Sequence, residues 1–182
     1  MSRELHPERR FPWILKFHDL MPHRIREVLL VSSEYDAFVI EEDGRLSERL
    51  FVEYSELNLT TSPRIIHASD PAEALRILQK RRVDLVLTTM RLDDPGVGDL
   101  AQRARSLLPD LPVVLMVLDE FELRRLRLRQ LPGGVDRVFL WTGDTRIMVA
   151  IIKLIEDSLN VAEDTARTGV QVIIVVEDSV RR

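Results

Sequence analysis

The fold class can be predicted from a segment in the middle of the sequence. Residues 82–118 read RVDLVLTTMRLDDPGVGDLAQRARSLLPDLPVVLMVL. The stretch contains two short apolar runs, at 83–87 and 113–118, of the kind that form strands buried on both faces of a parallel sheet. Between the runs, apolar residues recur at helical spacing: Leu100, Ala101, Ala104, Leu107 and Leu108. The pattern therefore predicts a strand, a crossover helix and a second strand parallel to the first.

The same alternation continues on both sides of this stretch. Further strands are predicted at 28–31, 63–68 and 135–141, each from a short apolar run. A helix is predicted after each of the five strands, and Asp70 with Glu73 three residues later supplies a capping box for one of them. Such alternation predicts an α/β fold: a doubly wound, five-stranded parallel sheet with helices on both faces.

The rest of the chain divides into predicted segments. We expect an N-terminal helical extension at 1–26, the sheet domain at 27–160 and a linker at 161–169. Residues 170–182 predict the first strand of a second, truncated domain of the same kind, and hence a chain that is a fragment of a longer protein. Ligands of such sheets bind beyond the carboxyl ends of the strands, so the residues that follow each strand are the candidate site residues.

Composition excludes several classes of function. The 182 residues include no cysteine, which excludes thiolate metal sites and cysteine nucleophiles and is compatible with the cytoplasm, the compartment that we expect. The formal net charge of −4 gives no basic field for nucleic acid. The apolar runs fall short of the roughly 20 residues that a membrane helix needs. We therefore expect no metal, cofactor, nucleic acid or membrane.

Three of the predicted strands carry a resemblance to a known family. Residues 82–87, 111–116 and 133–140 resemble the third, fourth and fifth strands of the receiver domain of two-component response regulators. The five strand–helix units at 27–160 are similar to that domain as a whole. The resemblance implies a flavodoxin-like fold and a place in bacterial phosphorelay-type signal transduction.

The first and last parts of the chain extend this resemblance. The first crossover is longer than is usual in receivers, and residues 29–46 are similar to receiver-like regions that precede proteins related to pyruvate, phosphate dikinase. Near the end of the chain, residues 173–179 resemble the opening of a second receiver. There, Glu177 and Asp178 occupy the positions of the family's acidic pair.

The resemblance also implies where phosphoryl chemistry would take place. In receivers, an acidic pair after the first strand holds Mg²⁺, and an aspartate after the third strand accepts the phosphoryl group. A hydroxyl residue after the fourth strand and a lysine after the fifth contact the phosphoryl oxygens. In this chain these positions hold Ser32, Ser33, Thr89, Val117 and Trp141. The nucleophile, the metal ligands and the countercharge are all replaced, so we expect a pseudo-receiver that is not an enzyme.

Two alternatives stay open at this point. One is that Glu34 and Asp36 replace the metal-binding carboxylates in part. The other is a small-ligand-binding or enzymatic domain that uses the strand-end hydroxyls of Ser32, Ser33 and Thr89.

Protein contacts are predicted at the helix that follows the fourth strand. Four arginines make this helix basic: Arg124, Arg125, Arg127 and Arg129. Their face is either a solvated surface or a docking surface for a protein partner or a second copy, since this side of receivers commonly makes dimers or contacts the output domain. Trp141 is a further candidate, because it fills the phosphoryl space if it points inward and anchors a partner if it points outward.

Overall fold

The structure, a computed structural model, describes the following residues: 21–41, 45–57, 59, 61–89, 96–127 and 131–168. They belong to two compact units. One contains the described residues of Arg24–Ile155, and the other joins residues 21–23 to residues 156–168. None of the described helices is long and apolar enough to cross a membrane.

The first unit is built from alternating strands and helices. Its strands are β1 (Glu27–Val31), β2 (Arg64–Ala68), β3 (Leu85–Thr89), β4 (Val113–Val117) and β5 (Arg137–Leu140). The helices are α1 (Glu34–Glu41), α2 (Leu46–Glu56), α3 (Pro71–Lys80), α4 (Val97–Leu107), α5 (Glu120–Arg127) and α6 (Thr145–Thr168), of which α6 continues into the second unit. The five strands pair in parallel in the order β2-β1-β3-β4-β5. This is a doubly wound, flavodoxin-like sheet, which confirms the predicted fold class.

The strands send alternate side chains to opposite faces of the sheet. Val28 and Leu30 of β1 belong to a hydrophobic cluster with α1, α2 and α6. Leu29 and Val31 belong to a cluster with α3 and α4, and Val117 to a third cluster that includes α5. Every residue of β3 and β4 is buried, whereas the edge strands β2 and β5 are only partly buried. The continuous apolar runs are therefore those of central parallel strands.

The first crossover contains two helices, α1 and α2, between β1 and β2. On α2, Leu46, Leu50 and Tyr54 are buried in the core, as their spacing predicts. Leu57 follows the same spacing but is exposed, because α2 ends one residue before it. The extra length of this crossover, noted in the sequence, therefore forms a second helix.

Helix α3 begins as the sequence predicts. Asp70 accepts a hydrogen bond from the Glu73 N–H at 2.8 Å, and Pro71 occupies the first turn. The Glu73 carboxylate reaches back beyond the cap and accepts from the N–H and the hydroxyl of Ser69 at 2.9 and 3.0 Å. These two bonds, the backbone one first, lower the pKa of Glu73. The capping box is confirmed, except that its return bond goes to Ser69 rather than to Asp70.

Two predicted boundaries differ from the structure. The chain from residue 21 to residue 26 is neither helix nor strand, so the helical extension predicted at 1–26 does not reach its expected end. Helix α6 runs to Thr168, through most of the linker predicted at 161–169, and an Arg167–Glu163 ion pair one turn apart supports this last part. Residues 1–20 and the strand predicted at 170–182 lie outside the described residues.

In the second unit, side chains near the end of α6 bind the backbone of residues 21–23. The His23 N–H donates to the Asn160 side-chain oxygen at 2.8 Å, and the Asn160 amide donates to the His23 carbonyl at 2.7 Å. One turn later, the Asp164 carboxylate accepts from the Met21 N–H at 3.1 Å. The two polar side chains thus satisfy backbone groups that no secondary structure pairs.

Candidate functional site

The predicted site positions lie at the carboxyl edge of the sheet. Ser32 and Ser33 follow β1, Thr89 ends β3, Val117 ends β4 and Trp141 follows β5. Strand β3 lies between β1 and β4, and β5 is next to β4. Because the carboxyl ends of parallel strands meet at one edge, this is the place where the fold class positions a ligand site.

Thr89, at the position of the phosphoacceptor, makes a buried hydrogen bond. The Thr89 hydroxyl donates to the Asp36 carboxylate at 2.9 Å, and neither residue has any exposed surface. Asp36 lies in the first turn of α1, where its own N–H donates to the Ser33 hydroxyl oxygen at 3.1 Å. Ser33, Asp36 and Thr89 therefore form one hydrogen-bonded chain that ties the start of α1 to the end of β3.

Ser32 faces the edge strand β2 instead. Its hydroxyl oxygen lies 3.1 Å from His67 Nε2, and its carbonyl oxygen lies 3.0 Å from the same nitrogen. Since a carbonyl oxygen can only accept a hydrogen bond, this contact requires the tautomer in which His67 Nε2 bears the hydrogen and donates a hydrogen bond to the Ser32 carbonyl. Sequence reasoning missed His67 as a partner of Ser32, because the two residues meet only through the register in which His67 pairs with Leu30.

The hydroxyl and lysine positions hold buried apolar side chains. Val117 has no exposed surface and packs in the cluster of Leu126 on α5. Trp141 is 5 % exposed and belongs to the cluster that contains Leu87 and Met116. Its indole N–H has no acceptor in the part of the chain that the structure describes. Of the two orientations considered for Trp141, the structure has the inward one, which leaves it unable to anchor a partner from outside.

The acidic residues near the site do not come together as metal ligands. Glu34 is exposed on α1, whereas Asp36 is buried against Thr89. Among the described residues, no group of three or more histidines or carboxylates is placed to hold a metal ion. The structure thus gives no support to the alternative in which Glu34 and Asp36 share a cation.

The three candidate hydroxyls belong to Ser32, Ser33 and Thr89. Each of them makes a hydrogen bond within the protein. A hydroxyl beside a carboxylate is also the arrangement of an activated nucleophile. Here, however, the Thr89–Asp36 pair has no exposed surface for a substrate to reach.

A groove in the described structure lies away from these positions. It has a volume of about 520 Å³ and is lined by one face of α2 and the loop before α6: Arg45, Glu48, Arg49, Val52, Glu53, Thr142, Gly143, Asp144 and Thr145. Hydrogen bonds from the Arg146 side chain and backbone lower the pKa of Asp144. None of the five site positions lines this groove, so its shape says nothing about phosphoryl chemistry.

The basic helix α5 is partly described. Arg124 pairs with Glu120 one turn earlier at 3.2 Å, and the Arg125 guanidinium lies 5.9 Å from the centre of the Phe121 ring. The side chains of Arg127 and Arg129 lie outside the described residues. The use of these arginines as a partner surface therefore stays a prediction.

Solved structures show what this fold is similar to. A crystal structure of an adenylate cyclase from Rhodopirellula baltica matches with a TM-score of 0.55 and 16 % identity over 79 % of this chain and 98 % of that chain. The signal receiver domain of an HD domain-containing protein from Pseudomonas fluorescens Pf-5 matches with a TM-score of 0.55 and 20 % identity over 78 % of this chain and 93 % of that chain. This is the receiver fold.

A third receiver supports the same conclusion. The CheY-like response regulator receiver domain protein from Methanospirillum hungatei JF-1 matches with a TM-score of 0.52 and 17 % identity over 74 % of this chain and 95 % of that chain. At these identities the likeness to receivers is one of fold. No protein-family model matches the chain, and neither does any curated protein.

Proposed function

We propose that this chain is a non-catalytic pseudo-receiver of bacterial phosphorelay-type signal transduction, which acts through contacts with protein partners or with a second copy of itself. The observation that carries the proposal is the buried hydrogen bond from Thr89 to Asp36. Phosphoryl transfer needs an accessible nucleophile in line with the leaving oxygen. The acceptor position of this chain instead holds an inaccessible hydroxyl whose proton is directed at a neighbouring carboxylate.

The charge at the site also opposes a phosphoryl group. Such a group brings roughly −1.5 to −2 charges at neutral pH. Asp36 lies within hydrogen-bond distance of the acceptor position, and Trp141 supplies no cation at the position of the lysine. Without a countercharge, the negative charge of the transferred group stays unneutralised, which disfavours transfer.

Treatment with acetyl phosphate and Mg²⁺ tests the loss of chemistry. Intact-mass spectrometry should detect no phosphorylated species of the wild-type chain, while a competent receiver in the same reaction serves as the positive control. The variant Thr89→Asp should also stay unmodified, because it restores the acceptor carboxylate without the metal ligands or the lysine. A stable aspartyl adduct on the wild-type chain would overturn the proposal.

The proposed contact surface is helix α5. Reversal of charge in the double variant Arg124→Glu, Arg125→Glu should weaken any self-association made by this helix, which sedimentation velocity measures over a range of concentrations. A wild-type chain that stays monomeric throughout would exclude the second copy and leave another protein as the partner.

The proposal extends to the setting of this module. We place it in the cytoplasm, without a cofactor or metal, and the formal net charge of −4 supports a partner other than nucleic acid. The likeness of residues 29–46 to regions that precede dikinase-related proteins rests on sequence resemblance alone.

A further inference from the structure

Helix α1 carries large apolar side chains on its outer side. Tyr35 is 67 % exposed, Phe38 is 63 % exposed and Val39 is also exposed. Their spacing of three and four residues puts them side by side on one face of the helix, and we call these three residues the α1 stripe. Single exposed apolar residues are ordinary, but a contiguous stripe on one helix face calls for an explanation.

The stripe is additional to the face that α1 turns toward the core. Ala37 and Ile40 are buried, so α1 is apolar on two sides. A helix with apolar residues on both its inner and outer faces is expected to be covered on both. The neighbouring helix α2, which contacts α1, repeats the pattern: Phe51 and Val52 are exposed while its other face packs inside.

The charges around these side chains are mainly negative. Glu34 lies one turn before Phe38, and Glu48 and Glu56 lie one turn before and one turn after Val52; all three glutamates are exposed. The basic residues beside them are fewer: Arg45 and Arg49, which are both exposed and line the groove next to Glu48, Val52 and Glu53. An apolar surface with an acidic border complements a partner that is apolar and basic. It also disfavours a second copy, because two acidic borders would then face each other.

We propose that the α1 stripe, extended by Phe51 and Val52, is a docking surface for a basic amphipathic helix of a partner protein. Residues at spacings of three and four recognise the matching stripe of such a helix, and basic residues beside it would face the three glutamates. This surface is separate from α5, where Phe121 is equally exposed at 67 % but lies beside Arg124 and Arg125. The inference does not depend on the lost phosphoryl chemistry, since the binding test below involves no phosphoryl donor.

A designed peptide tests the chemistry of the partner. The probe is a fluorescent helical peptide with leucines at helical spacing and lysines elsewhere, titrated with the full chain and followed by anisotropy; the control peptide has glutamates in place of the lysines. We expect binding of the lysine peptide only. Failure of the lysine peptide to bind, or equal binding of both peptides, overturns the proposal.

Variants of the chain locate the binding surface. Tyr35→Ser and Phe38→Ser should each weaken binding by about tenfold or more, as for aromatic residues at the centre of an interface. Glu34→Lys should weaken binding at low salt and lose this effect at high salt, because exposed charges are screened. The matched control Phe121→Ser, on the basic helix, should bind as the wild type does. Equal losses at Phe38 and Phe121 contradict the assignment.

Two other occupants of the surface are distinguishable. If a second copy covers it, Phe38→Ser will shift the sedimentation of the free chain toward the monomer, whereas we expect no change. If the chain covers its own stripe, for example with the basic and apolar residues at 9–20, the same variant will lower the unfolding temperature. For a side chain open to solvent we expect a change within about 2 °C. Either contrary result overturns the proposal.

Discussion

Thr88 and Thr89 are adjacent, fully buried and chemically identical, yet their hydroxyls have different surroundings. Thr89 donates to the Asp36 carboxylate at 2.9 Å, whereas Thr88 lies 3.4 Å from the carbonyl oxygen of its own neighbour. The first is a bond to a charged group across 53 residues of sequence, and the second is a local contact near the limit of hydrogen-bond geometry. The two positions therefore form a matched pair for substitution.

Thr89→Val should lower the free energy of unfolding by about 1–3 kcal/mol, because it keeps the side-chain shape and leaves the buried Asp36 carboxylate one donor short. Thr88→Val should cost less than about 1 kcal/mol, because it removes only a weak bond. Urea unfolding of both variants measures the difference. An equal or larger loss for Thr88→Val would show that Asp36 does not depend on Thr89.

Glu73 makes stability depend on pH. Its pKa is lowered in the folded protein, chiefly by the Ser69 N–H, so folding favours the charged form. The stabilisation is fully present above the ordinary pKa of a glutamate, and it disappears as the pH falls through the lowered, folded-state value. Glu73→Gln should therefore be less stable than the wild type at neutral pH, and this difference in stability should close as the pH falls from neutral through the lowered pKa of Glu73.

Thermal unfolding of the wild type and Glu73→Gln across this pH range checks the prediction. Glu48→Gln, at an exposed glutamate of α2, is the matched control and should shift little at any pH. A gap that stays constant from neutral to acid pH would exclude the carboxylate charge as its cause.

Among the elements, two partly buried aspartates join neighbouring strands at the amino edge of the sheet. One oxygen of Asp84 accepts from the N–H groups of Arg26 and Glu27 at 2.9 and 3.0 Å, which ties the start of β1 to β3. Asp136 accepts from the Val113 N–H at 2.8 Å and so ties β4 to β5. In both cases a charged side chain continues the hydrogen bonding of the sheet beyond the strands.

Asp84→Ala should lower the free energy of unfolding by about 1.5–3 kcal/mol, the range for hydrogen bonds to charged groups. In this variant the backbone N–H groups of Arg26 and Glu27 lose their acceptor. Water can replace the lost carboxylate at the more exposed N–H, that of Arg26. Asp110→Ala, at an exposed turn, is the control and should cost less than about 0.5 kcal/mol. Chemical denaturation compares the two, and equal losses would mean that the β1–β3 link contributes nothing.

Helix caps show what local sequence can predict. The box of Asp70 and Glu73 follows from four consecutive residues and is present in the structure. A second box was missed at α5, where Asp119 accepts from the Glu122 N–H at 2.8 Å and Glu122 accepts from the Leu118 N–H at 2.9 Å. Its pattern of an aspartate followed three residues later by a glutamate was equally readable.

Across the whole molecule, the hydrophobic core that the described residues form lies in one part of the chain. The buried residues of all three hydrophobic clusters lie between Ile25 and Ile155. The last turns of α6 instead hold backbone at Met21 and His23 through polar side chains. Truncation of the chain within or after α6 should therefore affect the stability of the sheet and the order of residues 21–23 differently.

A chain that ends at Thr168 should unfold within about 2 °C of the full chain, because every core residue that the structure describes remains. A chain that ends at Leu159 should lose the contacts of Asn160 and Asp164, so the amides of Met21 and His23 should exchange faster with deuterium. Circular dichroism and hydrogen exchange measure the two effects. Unfolding of the chain that ends at Thr168 would place residues beyond it in the core.

The type and order of the elements in the sheet domain follow from the amino-acid sequence alone. Continuous apolar runs such as 113–118 predicted central strands because parallel strands are buried on both faces. The alternation of strands with helical spacing then predicted a parallel sheet, since parallel strands require crossovers. These are local properties, and each can be read within one segment.

The state of the candidate site, in contrast, depends on contacts between residues far apart in the chain. The sheet order brought Thr89 of β3 to Asp36 of α1 and Ser32 to His67, pairs that no local pattern specifies. The inward orientation of Trp141 depended on space between β5 and the helices of one face. The physical reason is that strand order and register choose partners far apart in the chain, whereas spacing and caps act over a few residues.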